Sequence, residues 1–164
     1  MSDGDHAQAA VNGRERYRSR PSLALDLAWL VAHAATLVAL YLGEWLGRTP
    51  CTLCWYQRIA MFPLALMLGI ACLHNDYRVG RYALPLALAG AVVALYHTLL
   101  YTDLVTAPIV PCSQSGPSCT DRANQAVAGV PLPMLSLGSF AAIAALLVLA
   151  YRARPTPSTG DPSS

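Results

Sequence analysis

Four apolar stretches, near residues 24–46, 56–74, 82–102 and 132–151, constrain this chain more than any other feature. Each runs for about 20 residues, enough to cross a hydrocarbon core of roughly 30 Å as a helix. Composition points the same way: the chain is 55% hydrophobic and 12% charged, whereas a soluble domain carries about a quarter charged residues. A length of 164 residues suits one domain. The sequence therefore predicts an all-α membrane protein, a four-transmembrane-helix bundle over residues 23–152. Residues 1–22 are polar and rich in arginine and read as a disordered tail. Residues 153–164, rich in Pro, Ser and Thr, read as a flexible one. The first stretch exceeds the length of a signal-peptide core and ends in no clear cleavage site, so it is kept as a span. A net charge of +2 gives no reason to expect nucleic acid.

Arginine placement orients the bundle. All eleven basic residues are arginine. Eight fall on one side: Arg14, Arg16, Arg18 and Arg20 in the N-terminal tail, Arg78 and Arg81 between spans two and three, and Arg152 and Arg154 at the C-terminal end. Only Arg48, Arg58 and Arg122 fall on the other. The positive-inside rule then puts both termini in the cytoplasm and turns segments 47–55 and 103–131 outward. Four of the five cysteines lie in those two segments, as the pairs Cys51/Cys54 and Cys112/Cys119.

Cys51 and Cys54 sit where the first outer loop enters the second span, behind Pro50, a residue common at helix starts. Unpaired backbone N–H groups and the helix dipole stabilise a thiolate in that position. The Cys-x-x-Cys spacing lets one thiol attack and the other resolve, so the pair can cycle between dithiol and disulfide. Cys112 and Cys119 are separated by six residues that include Gly116 and Pro117, which favour a turn. Two structural disulfides are a competing reading. A four-cysteine zinc site fits poorly, because the second spacing is too long. A c-type haem site needs His after the second cysteine, and residue 55 is Trp. Cys72, alone in an apolar run, reads as a small core hydrophobe.

Ionisable groups inside a membrane span are costly and point to function. Arg58 lies four residues after Cys54, on the same helix face. There it can lower the Cys54 pKa and stabilise a reduced, anionic quinone oxygen; snorkelling to the headgroups is the alternative. His97, near the outer end of the third span, falls at the depth of Arg58 and can hydrogen-bond or protonate the acceptor. A satisfied core histidine is the competing reading. Glu44 reads as an ion-pair partner for Arg48 or Arg58, with proton relay as the alternative. Trp45, Trp55, Tyr56 and Tyr101 form an interfacial aromatic belt. Pro63 and Pro85 predict bends in spans two and three.

The run Pro50-Cys-Thr-Leu-Cys-Trp-Tyr-Gln-Arg58, the later Tyr96-His97-Thr98, the outer Cys112 and Cys119, and the Val-Pro-Leu-Pro-Met-Leu-Ser-Leu segment at 130–137 resemble the DsbB family. The Trp-Tyr-Gln-Arg form is closest to its BdbC-type branch. The resemblance covers roughly residues 24–151. It implies a thiol:quinone oxidoreductase of the bacterial cell membrane with its cysteine loops outside the cytoplasm. Its partner would be a secreted, DsbA-like thioredoxin-fold thiol oxidase, and its cofactor menaquinone or ubiquinone; that relay is an established system. Cys112 would form the mixed disulfide with the partner, and Cys119 would pair with it in the loop. Electrons would pass to Cys51 and Cys54, with Cys54 facing the quinone. Arg58 would match the family's quinone-site arginine and His97 a histidine near that site. The Cys112–Cys119 interval is shorter than in proteobacterial members. A vitamin K epoxide reductase-like enzyme would carry its Cys-x-x-Cys near the last span, not at the start of the second. A disulfide-stapled scaffold without catalysis would leave Arg58 unexplained.

Overall fold

The long apolar runs become four helices because, in hydrocarbon, each backbone N–H and C=O must be satisfied within its own segment. The computed structural model describes residues 23–74, 76–105, 119, 126–127 and 129–153. Helix α1 covers Leu23–Trp45, α2 Thr52–His74, α3 Gly80–Tyr101 and α4 Leu132–Arg152. All four are long and apolar enough to cross a membrane. A short 3-10 turn, Tyr77–Val79, leads into α3, its start capped by the Asp76 carboxylate accepting from the Arg78 N–H at 2.8 Å. A two-residue hairpin, β1 Ala126–Val127 paired antiparallel with β2 Val130–Pro131, leads into α4. Of the segments expected to be tails, 1–22 and 154–164 lie outside the described residues, and Ala153 caps α4.

Helix α2 begins four residues before the apolar stretch that announces it. Its first turn, Thr52-Leu53-Cys54-Trp55, is too mixed to register as apolar, yet it is helical from Thr52. The backbone N–H of Trp55 bonds the Cys51 carbonyl at 3.1 Å, which makes Cys51 the N-terminal cap. Pro63 and Pro85 lie inside α2 and α3 on exposed faces.

Neighbouring helices run antiparallel. Late α2 meets early α1 at Gly69 and Trp29, and early α2 meets late α1 at Arg58 and Gly43. The buried positions of α3, Ala83, Ala87, Gly90 and Ala94, form a stripe of small residues at helical spacing. Such a stripe lets helices approach closely without any hydrophobic drive from water. The core fills it with Leu64 and Leu68 of α2 and Phe140, Ile143 and Leu147 of α4. Large side chains such as Leu66, Leu73, Val92 and Leu149 stay exposed, as lipid-facing residues do. Helix α1 is the least enclosed of the four.

Helix α3 stops at a Schellman turn. Asp103 takes a positive φ of 59°, its N–H bonds the Leu100 carbonyl at 3.2 Å, and the Leu104 N–H bonds the Leu99 carbonyl at 3.1 Å. The turn keeps Leu100 packed at the cysteine end.

Among the described glycines, Gly90 has the least room for a side chain. A Cβ there would fall 2.2 Å from the Phe140 ring, whereas one at Gly138 would meet nothing within 4 Å. Gly90→Ala is expected to cost about 1–3 kcal/mol by overpacking, read as a lowered denaturation midpoint in detergent. Gly138→Ala should leave the midpoint unchanged; equal effects at both glycines would contradict this packing.

Candidate functional site at the cysteine end

The cap position of α2 decides the site. Cys51 precedes the first helical residue and Cys54 lies in the first turn, so both sulfurs gather at one helix N-terminus. They lie 3.1 Å apart, within thiol–thiol hydrogen-bond reach, and both are free thiols. Cys51 is only 5% exposed, with His97 of α3 behind it. The His97 Nε2 lies 3.9 Å from the Cys51 sulfur, and its Nδ1 lies 3.2 Å from the side-chain nitrogen of Gln57. An amide nitrogen can only donate, so this contact favours the tautomer in which Nδ1 accepts and Nε2–H faces Cys51. The two sulfurs and a ring nitrogen fall within 4.8 Å of one another. In that tautomer the ring offers the Cys51 sulfur a donor.

These contacts pull the Cys51 thiol from its ordinary 9.0 down to about 4. The hydrogen bond with the Cys54 thiol is the largest cause. Burial works against it, and His97 and the Cys54 backbone N–H reinforce it. Helix phase predicts a stabilised thiolate at Cys54, with Arg58 beneath it. The structure directs the hydrogen bonds to Cys51.

Arg58 takes a different seat. Its Nη2 donates to the Ala39 carbonyl of α1 at 2.7 Å, and its guanidinium lies 5.6 Å over the Trp55 ring. The last turn of α1, Tyr41–Trp45, is π-helical, a distortion frequent at functional sites. Within it, Gly43 leaves room for the guanidinium: a Cβ there would come within 3.0 Å of Nη2. Gly47, at φ +62°, then turns the chain towards Pro50 and the cysteines.

Between α1, α2 and α4 lies a cavity of about 420 Å³. Cys51, Cys54, Gln57 and Arg58 edge it, while Val38, Met61, Phe62, Leu135 and Phe140 give it apolar walls. Its size suits a small-molecule ring with a few convergent polar groups. His97 does not line it; it stands behind Cys51, fully buried.

The second cysteine-bearing segment reaches the same place. Cys119 is disulfide-bonded, 2% exposed, and packs with Cys51, Leu53 and Leu100. Arg48 ties the two segments together, its Nη1 donating to the Ala126 carbonyl at 3.0 Å. Cys112 lies outside the described residues.

Other expectations fall elsewhere. Glu44 is exposed on the π turn, away from the cavity lining. Trp45, Trp55 and Tyr56 are exposed. Cys72 packs on the core at the opposite end, its thiol against Asp26. Sequence reasoning missed Gln57. The signal was there: it shares the buried face of Leu53, Ala60 and Leu64, so a polar side chain occupies a core position.

Comparison with known proteins agrees with this geometry. The chain is 51% identical over 133 residues to a probable disulfide formation protein of Metapseudomonas resinovorans, covering 81% of this chain and 92% of that one. It is 39% identical over 125 residues to disulfide bond formation protein C of Bacillus subtilis, covering 76% and 90%. A probable disulfide formation protein of Chlamydia trachomatis is 38% identical over 133 residues, covering 81% and 96%. No solved structure matches. With residues 21–150 matching the family described as Disulfide bond formation protein DsbB, the chain belongs to that family of membrane disulfide-forming proteins.

Proposed function

We propose that this protein is a thiol:quinone oxidoreductase that reoxidises a secreted, thioredoxin-fold thiol oxidase and delivers the electrons to a membrane quinone. The observation that carries the reading is the position of one thiol pair between two redox neighbours. Cys51 packs against the disulfide-bonded Cys119, and Cys54 edges an apolar cavity that also presents Arg58. A disulfide-stapled scaffold needs neither the free pair nor the half-buried cation.

The division of labour is the one that the resemblance to the DsbB family implies. Cys112 meets the partner's thiolate and Cys119 shares its disulfide. Exchange then passes to Cys51, and from there to Cys54. Closing the Cys51–Cys54 disulfide releases two electrons and two protons. The quinone supplies the two-electron, two-proton sink. Arg58 holds positive charge at the cavity edge, where a reduced ring oxygen gains negative charge. The cavity walls are largely apolar, and the loops stand on the extracytoplasmic side of the bacterial cell membrane.

Three outcomes test this. Purified protein with a reduced thioredoxin-like oxidase and a soluble quinone should turn over, and Cys54→Ala should abolish it; persistent oxidation by that variant would sink the relay. Arg58→Ala should raise the quinone KM by about ten-fold, the scale of one charged hydrogen bond, and leave disulfide exchange with the partner intact. Gly43→Val, which crowds the guanidinium, should move KM in the same direction. The third outcome concerns pH. With a folded pKa of about 4 against an ordinary 9.0, Cys51 is a thiolate throughout that window. Its contribution to the stability of the reduced protein is fully present above the ordinary value and is lost as pH falls through about 4. Site-resolved alkylation of Cys51 should stay level from neutral pH downward and halve near pH 4, where an ordinary thiol would already be unreactive.

A further inference from the structure

Gln57 belongs to none of the roles assigned so far, yet it is a polar side chain only 8% exposed, in the second turn of a membrane-spanning helix. A buried amide without partners is costly, so its contacts indicate its use. Its side-chain nitrogen points at His97 Nδ1, at 3.2 Å, and the far side of that ring faces the Cys51 sulfur at 3.9 Å. The three groups form one chain from α2 through α3 back to the cap of α2.

We propose that Gln57 is a positioning residue that fixes the tautomer of His97, so that Nε2–H faces Cys51 and holds that sulfur as a thiolate. The alternative tautomer would turn a bare Nε2 towards Cys51 and leave the amide N–H opposing a ring N–H. Gln57 removes that alternative by offering a donor to Nδ1. The logic is that of an outer residue setting which nitrogen of a histidine carries the proton.

The consequence deepens the relay reading and rests on it. In the exchange, a Cys119 thiolate attacks the Cys51 sulfur of the Cys51–Cys54 disulfide. The Cys119–Cys51 bond forms, the Cys51–Cys54 bond breaks, and the electron pair leaves on Cys54. The thiolate of Cys112 then attacks Cys119; the loop disulfide forms and the electron pair leaves on Cys51. A leaving thiol of low pKa departs faster. Gln57 and His97 thus make Cys51 a good leaving group, so oxidising equivalents flow outward to the loop. Other charged or titratable groups near Cys51 are Cys54 and Arg58 from α2, Tyr96 from α3 and Arg48 from the α1–α2 connection. The polar groups that α4 adds to the cavity lining are Ser136 and Ser139, neither of which titrates near neutrality.

The test uses the reduced full chain in detergent, without quinone or partner, so its failure is separable from failure of the relay. The ¹⁵N shifts of His97 report the tautomer directly: Nε2–H is expected, and a proton on Nδ1 overturns the proposal. Gln57→Met, close in volume, should raise the pH midpoint of Cys51 alkylation by about one unit, the scale of a weakened hydrogen bond to a charged group. Gln57→Asn keeps the amide but loses reach and should shift it likewise. In a His97→Phe background Gln57→Met should add nothing, because the two act as one unit. An unchanged midpoint in Gln57→Met, or the same shift persisting without His97, would show a merely structural glutamine.

Discussion

A histidine ring fully buried among apolar helices has two nitrogens, and both must find partners inside the protein. His97 finds Gln57 on one side and Cys51 on the other. Both partners belong to the start of α2, so satisfying one ring fixes how α2 meets α3 at the cysteine end. The small-residue stripe of Ala83, Ala87, Gly90 and Ala94 brings α3 into close contact with its neighbours. The Schellman turn at Asp103 then stops α3 just beyond the ring. The redox pair is held by the same contacts that hold the helices.

Arg58 solves a parallel problem with α1. A guanidinium inside a span must be neutralised, solvated or bonded. Here it bonds the Ala39 carbonyl, close to the point where α1 departs from α-helical geometry. Glycine at position 43 permits the approach. The cation is thereby pinned to a wall of the cavity while the cysteines stand on the α2 side. Loose enclosure of α1 and tight packing of α3 against α4 leave the open volume between α1, α2 and α4, beside the dithiol.

Much of this was legible in the sequence, and the limits are physical. Hydropathy over about 20 residues locates four spans, but it averages across the mixed turn Thr52–Trp55 and so starts α2 late. Helical spacing puts Arg58 beneath Cys54 because four residues make about one turn. It does not reveal that the guanidinium turns to Ala39, since that depends on a π turn in another helix. Depth matching brings His97 to the level of the cysteines. Rotation about the α3 axis, which depth cannot give, sets it behind Cys51 and away from the cavity. Gln57 carries no charge and stands next to an arginine, so charge placement does not single it out. A glutamine in phase with Leu53, Ala60 and Leu64 is nevertheless a buried polar group in need of a partner.

The two cysteines of one short motif therefore live in different surroundings. Cys51 has the helix cap, the His97 donor and the disulfide-bonded Cys119. Cys54 is more exposed and shares the cavity with the arginine. An exchange relay needs such asymmetry, because two equivalent thiols would pass electrons equally well in either direction. Thiol–disulfide exchange is steered by which sulfur leaves best and which sulfur is within reach. Reach is set by the cap position and by Arg48, which ties the loops together. Leaving ability is set by the ring behind Cys51, which does not line the cavity. Direction can thus be built into the protein before any acceptor binds.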